Sequence, residues 1–235
     1  MQEKRSSFKA PPKKYHPKGL SIIYEDRDLL VVDKVHGLLT IGTDREKEKT
    51  AHYLLNEYVK KGSERSRNRV FIVHRLDRET SGVLIFAKNE ETKQYLQEGW
   101  HEFSKKYLAV VHGKLHDREG VIASYLLENK AFRVFSTNDS ARGKYSETGY
   151  RVIKESNKFS LLEIDLFTGR KHQIRVHLSE EGNPVVGDRI YGTPDREVKR
   201  LALHAVSLTI IHPYTNREIC FETEIPPYFK TLINY

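Results

Sequence analysis

The stretch VFIVHRLDRETSGVLIFAKN, residues 70–89, decides how the chain is read. Two apolar, largely β-branched runs flank a polar island, HRLDRETSG, which holds His74, Arg75, Asp77, Arg78, Glu79, Thr80 and Ser81 and closes on Gly82. Runs of this kind are strand material, so the stretch predicts strand–turn–strand. A turn needs Gly, Asn, Asp or Pro and little else. The surplus of ionisable groups is either a charged surface turn or a site at a strand end, where rigid scaffolds present chemistry on loops.

Working outward, LSIIYED and DLLVVDKV read as two strands before this one. KTAHYLLNEYVKK places Ala51, Leu54, Leu55, Tyr58 and Val59 on one helical face. A basic loop, KKGSERSRNR, leads into the island with Lys60, Lys61, Arg65, Arg67 and Arg69. Beyond it, EETKQYLQEGWHEF sets Leu96, Trp100 and Phe103 at helical spacing, a core pattern. KKYLAVVHGKL, GVIASYLL, YSETGYRVIKES and KFSLLEIDLF read as strands. HQIRVHLSEEG reads as a helix with Gly182 at its C-terminal cap. RLALHAVSLTIIHPYTNREICFETEIP reads as a hairpin turning at HPYTNRE. Strands and helices mix without strict βαβ alternation, which predicts an α+β fold on a mainly antiparallel sheet.

The chain has 235 residues, a formal net charge of +8 and a single cysteine, Cys220. That length suits one large domain or two small ones with a sizeable core. The expected division is a flexible basic tail over 1–20, with six Lys or Arg against one Glu, and one catalytic domain over 21–235. The charge favours a polyanionic partner. One cysteine excludes an intrachain disulfide and fits a reducing compartment. No stretch approaches the ~20 apolar residues of a membrane span, and the N-terminus lacks the apolar core of a signal peptide. A cytoplasmic monomer without an obligate protein partner is expected.

Two places could carry chemistry. If HRLD runs extended, Arg75 and Asp77 share a face, and an arginine beside a carboxylate keeps it ionised. An ionised Asp77 can serve as nucleophile, general base or metal ligand; a local ion pair is the plainer alternative. In DLFTGRKHQIRVH, Arg170, Lys171 and His172 are expected to open a helix, where the positive dipole end and free N–H groups favour an anion. That anion is either a phosphate or a carboxylate elsewhere in the fold. Metal ligation is not expected: His172 and His177 are five apart, whereas a zinc-type pair sits at i, i+4. No GxxxxGK[ST] or GxGxxG run points to a nucleotide cofactor.

At these residues the sequence resembles the RluA family of RNA pseudouridine synthases. The matching runs are HRLDRETSG with VLIFAKN, then KKYLAVVHG, TGRKHQIRVHL, GNPVVGDRIYG and LALHAVSLTIIHPYT, in the family's order. The resemblance implies an antiparallel-sheet fold with a central RNA-binding cleft, no cofactor, and an RNA substrate, ribosomal or transfer. It implies that Asp77 is the catalytic aspartate and Arg75 helps hold the target nucleotide out of the stack, with His74 beside it. Tyr107 would pack on the uracil, and Arg175 would pair with the aspartate, with Ile174 the apolar residue next to it. Arg170, Lys171, Arg65, Arg67 and Arg69 are expected RNA contacts. Two departures stand out. DKVHGLLT has Val35 where the family often has proline, and the residues before the first strand are too few for the S4-type RNA-binding domain many relatives carry. An RNA-binding protein without catalysis and a metal-dependent hydrolase are the alternative classes.

Overall fold

The computed structural model describes residues 8–42, 46–192 and 198–233. Along the chain lie β1 (Leu20–Glu25), β2 (Leu29–Lys34), α1 (Ala51–Lys60), β3 (Phe71–Ile72), β4 (Ser81–Ala87) and α2 (Glu90–Glu98). There follow β5 (Ser104–His112), β6 (Glu119–Glu128), β7 (Val134–Thr137), β8 (Lys144–Glu155), β9 (Phe159–Leu166) and α3 (Gln173–Glu180). The chain ends with β10 (Leu203–Ile211), β11 (Glu218–Glu222) and α4 (Pro227–Leu232). It divides into two compact units, 1–100 with 210–221, and 101–209 with 222–235. Both are antiparallel in every strand pair described, so the α+β expectation holds.

In the first unit β1 pairs β2, β2 pairs β4, and the two-residue β3 also lies on β4. β4 is buried at all seven positions, which explains why VLIFA is continuously apolar rather than alternating. The strand before the island is shorter than the sequence predicts: residues 73–77 run without ladder partners, and the turn closes where Thr80 N–H donates to Asp77 O (3.1 Å). Gly82, the second residue of β4, takes φ 114°, a conformation that only glycine adopts readily. α1 begins on Thr50, whose hydroxyl accepts from Tyr53 N–H (3.1 Å), and buries Ala51, Leu55 and Val59. Asn89 caps α2 in the same way, with Glu90 and Glu91 in its first turn. Leu96 and Phe103 are buried as expected.

In the second unit the strand order is β10-β5-β9-β8-β6-β7. Its core gathers Leu108, Val110, Leu161, Ile164, Ile174, Leu178, Val186, Leu203 and Phe229, with Tyr107 and Tyr150 packed on it. α3 starts later than the sequence predicts. His172 takes φ 55° and ends the preceding turn, so Arg170 and Lys171 precede the helix instead of opening it. At the other end Gly182 takes φ 82°, as a C-terminal glycine should. β10 carries a bulge between Ala205 and Ser207, opposite Tyr107 and Lys106; bulges of this kind bend a strand and re-aim side chains.

Candidate active site

In the first unit, the Asp77 turn is strapped to the segment that follows β2. Thr40 Oγ1 donates to Leu76 O (2.8 Å) and accepts from Leu76 N–H (3.2 Å). Gly37 N–H donates to Arg78 O (2.8 Å), and Arg78 Nε returns the bond to Gly37 O (3.2 Å). The His36 ring reaches both Glu79 O (2.8 Å) and the Glu79 carboxylate (3.0 Å). Beneath them lies Lys34, with no exposed surface. Its ammonium donates to Val35 O, Leu38 O and Arg78 O at 3.2, 2.8 and 3.3 Å. Burial pushes its pKa down to about 8, against the opposing pull of Asp77, Glu79 and Asp33. A lysine is the one side chain with three donors and no acceptor, so it can tie three carbonyls and still leave positive charge behind the aspartate.

The neighbours of Asp77 divide by exposure. Arg75 and Arg78 are exposed. His74 is held inward: its ring stacks on Trp100 (centroids 4.3 Å, 30°) and its Nε2 accepts from Ile85 N–H of β4 (3.3 Å). Trp100 thus supports the turn that carries Asp77, a use that helical spacing alone did not show. Arg65, Arg67 and Arg69 of the basic loop are exposed, and the Arg69 guanidinium lies 4.7 Å from the Phe71 ring centroid.

In the second unit, α3 presents Arg175, 4% exposed in its side chain, to Asp188. The pairing is bidentate, Nε to Oδ2 at 2.7 Å and Nη2 to Oδ1 at 2.9 Å. Burial would raise the Asp188 carboxyl, but Arg175 and the N–H groups of Tyr191 and Ile190 outweigh it and hold it below the usual carboxylate range. The Tyr191 ring lies 5.2 Å from the guanidinium. Sequence reasoning quoted GNPVVGDRIYG without assigning Asp188; an aspartate inside an apolar, glycine-bounded run was the available signal. Ile174, on the same helix, is buried in the core against which Tyr107 packs. Two residues before Tyr107, and so on the same strand face, Lys105 is 6% exposed and donates to Phe103 O (2.6 Å). Burial lowers its pKa to about 8.

α3 is also locked by a directional relay. Gln173 Nε2 donates to Thr148 Oγ1 (2.8 Å) and Thr148 contacts His177 Nδ1 (3.0 Å). His177 Nε2 contacts Ser124 Oγ (3.0 Å), Ser124 contacts Ser136 Oγ (3.0 Å), and Ser136 reaches the Glu180 carboxylate. Since a carboxylate only accepts, Ser136 must donate to Glu180. Ser124 then donates to Ser136, His177 donates from Nε2, and Thr148 donates to Nδ1. Every bond is satisfied by a neutral His177, and burial indeed lowers its pKa. The two cations before the helix find protein partners: Lys171 pairs with Glu128, and Arg170 Nε donates to Tyr145 O (3.2 Å). The expected anion at Lys171 is thus met by a carboxylate of the fold.

Among the described residues, one cluster has metal-ligand composition, Asp26, Asp28 and His212. Its atoms already serve the fold. His212 Nε2 meets Asp26 Oδ2 at 2.7 Å while its Nδ1 accepts from Tyr214 and Thr215 N–H. Asp26 Oδ1 accepts from Asp28 and Leu29 N–H, and Asp28 Oδ1 from the Asn89 amide. Burial favours a protonated Asp26, but the bonds from His212 and the backbone prevail and lower its pKa. The cluster reads as a loop lock.

Residues 28–180 match the family model described as RNA pseudouridylate synthase. The chain belongs to this family. It is an RluA-type RNA pseudouridine synthase, an isomerase that acts on RNA. An uncharacterized RNA pseudouridine synthase of Mycoplasma pneumoniae is 34% identical over 218 residues, covering 90% of this chain and 68% of that protein. A ribosomal large subunit pseudouridine synthase D of Borreliella burgdorferi is 35% identical, covering 81% of this chain and 61% of the relative. Among solved structures, human RNA pseudouridylate synthase domain containing 1 superposes with a TM-score of 0.72 at 28% identity, covering 94% of this chain and 89% of that one. Among the described residues, no helix is long and apolar enough to cross a membrane.

Proposed function

We propose that this pseudouridine synthase converts specific uridines of ribosomal or transfer RNA to pseudouridine, with Asp77 as the catalytic carboxylate and no cofactor. The observation that carries the reading is the strapped turn: three carbonyls on Lys34, the Thr40–Leu76 pair and the Gly37–Arg78 pair fix the backbone on both sides of Asp77. Such preorganisation is what a group that must meet one atom of a substrate requires. The relative named for the ribosomal large subunit supports ribosomal RNA as a substrate.

In the reaction the N1–C1′ bond breaks, the uracil turns without leaving, C5 bonds to C1′, the C5 proton is lost to solvent and N1 takes up a proton. A carboxylate suits either opening of this sequence, adding to the anomeric carbon as in a retaining glycosidase or removing a sugar proton. Because the base must be kept, the pocket needs a flat wall, which Tyr107 supplies by stacking. The target nucleotide must leave its helix. Arg75, exposed beside Asp77, fills the vacated space or grips a phosphate. Arg175, oriented by its bidentate pair with Asp188, is the basic residue of the proposed reaction. Arg65, Arg67, Arg69 and Arg170 contact phosphates, and the protein acts as a cytoplasmic monomer.

Asp77→Asn preserves shape and removes charge and nucleophilicity. It should abolish tritium release from RNA labelled at uracil C5 while leaving melting temperature and RNA affinity near wild type. Wild-type release by the variant would overturn the assignment. Mapping pseudouridines in total RNA from cells with and without the protein then identifies the target.

A further inference from the structure

We propose that the pocket lined by Tyr125 and Tyr145 is a second RNA-binding site, which stacks one unpaired base of the substrate outside the target nucleotide. The inference rests on the RNA reading above and adds a place where the RNA is held. The pocket has a volume of about 310 Å³ and is lined by Ala123, Ser124, Tyr125, Ser136, Thr137, Asn138 and Tyr145. It lies where β7 ends its ladder with β6 at the Tyr125–Thr137 pair.

Three features suit a nucleobase. The first is the ring pair. Tyr125 and Tyr145 are direct cross-strand partners, their centroids are 5.8 Å apart, and the rings meet edge to face at 67°. Tyr145 is 46% exposed, and its hydroxyl is anchored on Glu147 Oε2 (3.1 Å), which fixes the ring. A half-exposed, oriented ring is a stacking platform: every base has a π-face, and stacking is sequence-tolerant. The second is the polar wall. Ser124 and Ser136 are committed to the His177 relay and give a rigid floor. The exposed side-chain amide of Asn138 makes no hydrogen bond among the described residues, so it is available to a base edge. The third is charge. Arg142 and Lys144 lead into Tyr145, both exposed, and Arg170 is fastened to the Tyr145 carbonyl. Aromatic rings beside cations are how single strands are gripped without sequence readout. A cross-strand tyrosine pair also stabilises a sheet. That plainer role requires neither the concavity nor the available amide.

The test uses the full chain and a single-stranded oligouridylate as probe, in binding, without turnover. Tyr145→Leu should weaken affinity about tenfold, Tyr145→Phe should bind within twofold of wild type, and Asn138→Ala should weaken it severalfold. Photo-crosslinking to 4-thiouridine-substituted RNA should label the peptides bearing Tyr125 or Tyr145. Should Tyr145→Leu fail to fold, Asn138→Ala and the crosslink decide. Undiminished binding by Tyr145→Leu at an unchanged melting temperature, equal losses for Leu and Phe, wild-type affinity for Asn138→Ala, or crosslinks confined to other peptides would each overturn the proposal. Failure of the catalytic reading shows separately, as turnover by Asp77→Asn.

Discussion

An ammonium group enclosed by three carbonyl oxygens is a costly way to hold a loop, because burial disfavours the charged form. Lys34 is nevertheless placed behind Asp77, where a methionine would fill the same space. Its folded pKa of about 8 lies below the unfolded value of 10.5. Between those values the unfolded chain binds more protons, so the wild type gains stability as pH rises through this window. Lys34→Met should remove that slope. The variant should also lose about 2 kcal/mol near neutral pH, because the three carbonyls are left unpaired. Turnover should fall at least tenfold as the turn loosens, with RNA affinity little changed, since Lys34 has no exposed surface. Urea titrations from pH 7 to 10 and single-turnover kinetics check both; an unchanged slope would mean that the lysine is not the group that titrates. Val35 adds a related point. A proline there would have no N–H, whereas Val35 N–H donates to Gly19 O (3.0 Å), so this chain pins its loop to the segment entering β1.

At the scale of the element, α3 is the piece on which most depends, since it carries Ile174, Arg175 and His177 within one turn and a half. The relay through His177 predicts a pH response. Its folded pKa lies below the ordinary histidine value of 6.5, so the unfolded state takes up protons first as pH falls below that value. Stability should drop across that fall, with the loss ending at the lower folded value. His177→Gln should flatten this dependence, and His177→Phe should cost about 2 kcal/mol by removing the acceptor of the Thr148 hydroxyl and the donor to Ser124. Parallel pH curves for wild type and His177→Gln in urea unfolding would contradict the relay. The helix itself was legible, from HQIRVHL and its glycine stop, but the relay was not, because Ser124 lies 53 residues upstream. Its true start was hidden as well: nothing in the sequence says that His172 takes a left-handed conformation. β7 went unread because four strand residues, VFST, sit between two turn-rich segments. The proposed roles of Asp77, Tyr107 and Arg175 rest on ordered motifs, whereas Asp188, Trp100 and Lys34 make contacts that periodicity does not encode.

At the scale of the molecule, the charge of +8 is an expectation about ionic strength rather than about fold. Several lysines are paired with carboxylates of the fold. Lys60 pairs with Glu57, Lys88 with Glu25, Lys93 with Glu90 and Lys106 with Glu163 and Asp165. The loop before the catalytic strand differs: Arg65, Arg67 and Arg69 are all exposed there. Each phosphate they neutralise releases counterions, so log affinity should fall linearly with log salt. Replacing all three with alanine should weaken RNA binding and flatten that slope by up to roughly 2 units, since each contact to a single strand contributes about 0.7. Phosphate contacts position an RNA without reading it, so the loss should be similar across RNA sequences, and the rate of the bound complex should hold. Affinity measured at four salt concentrations for wild type and triple variant decides the matter. Parallel lines would make the loop a solvated one and move the electrostatic grip to Arg170 and the cations around Tyr145.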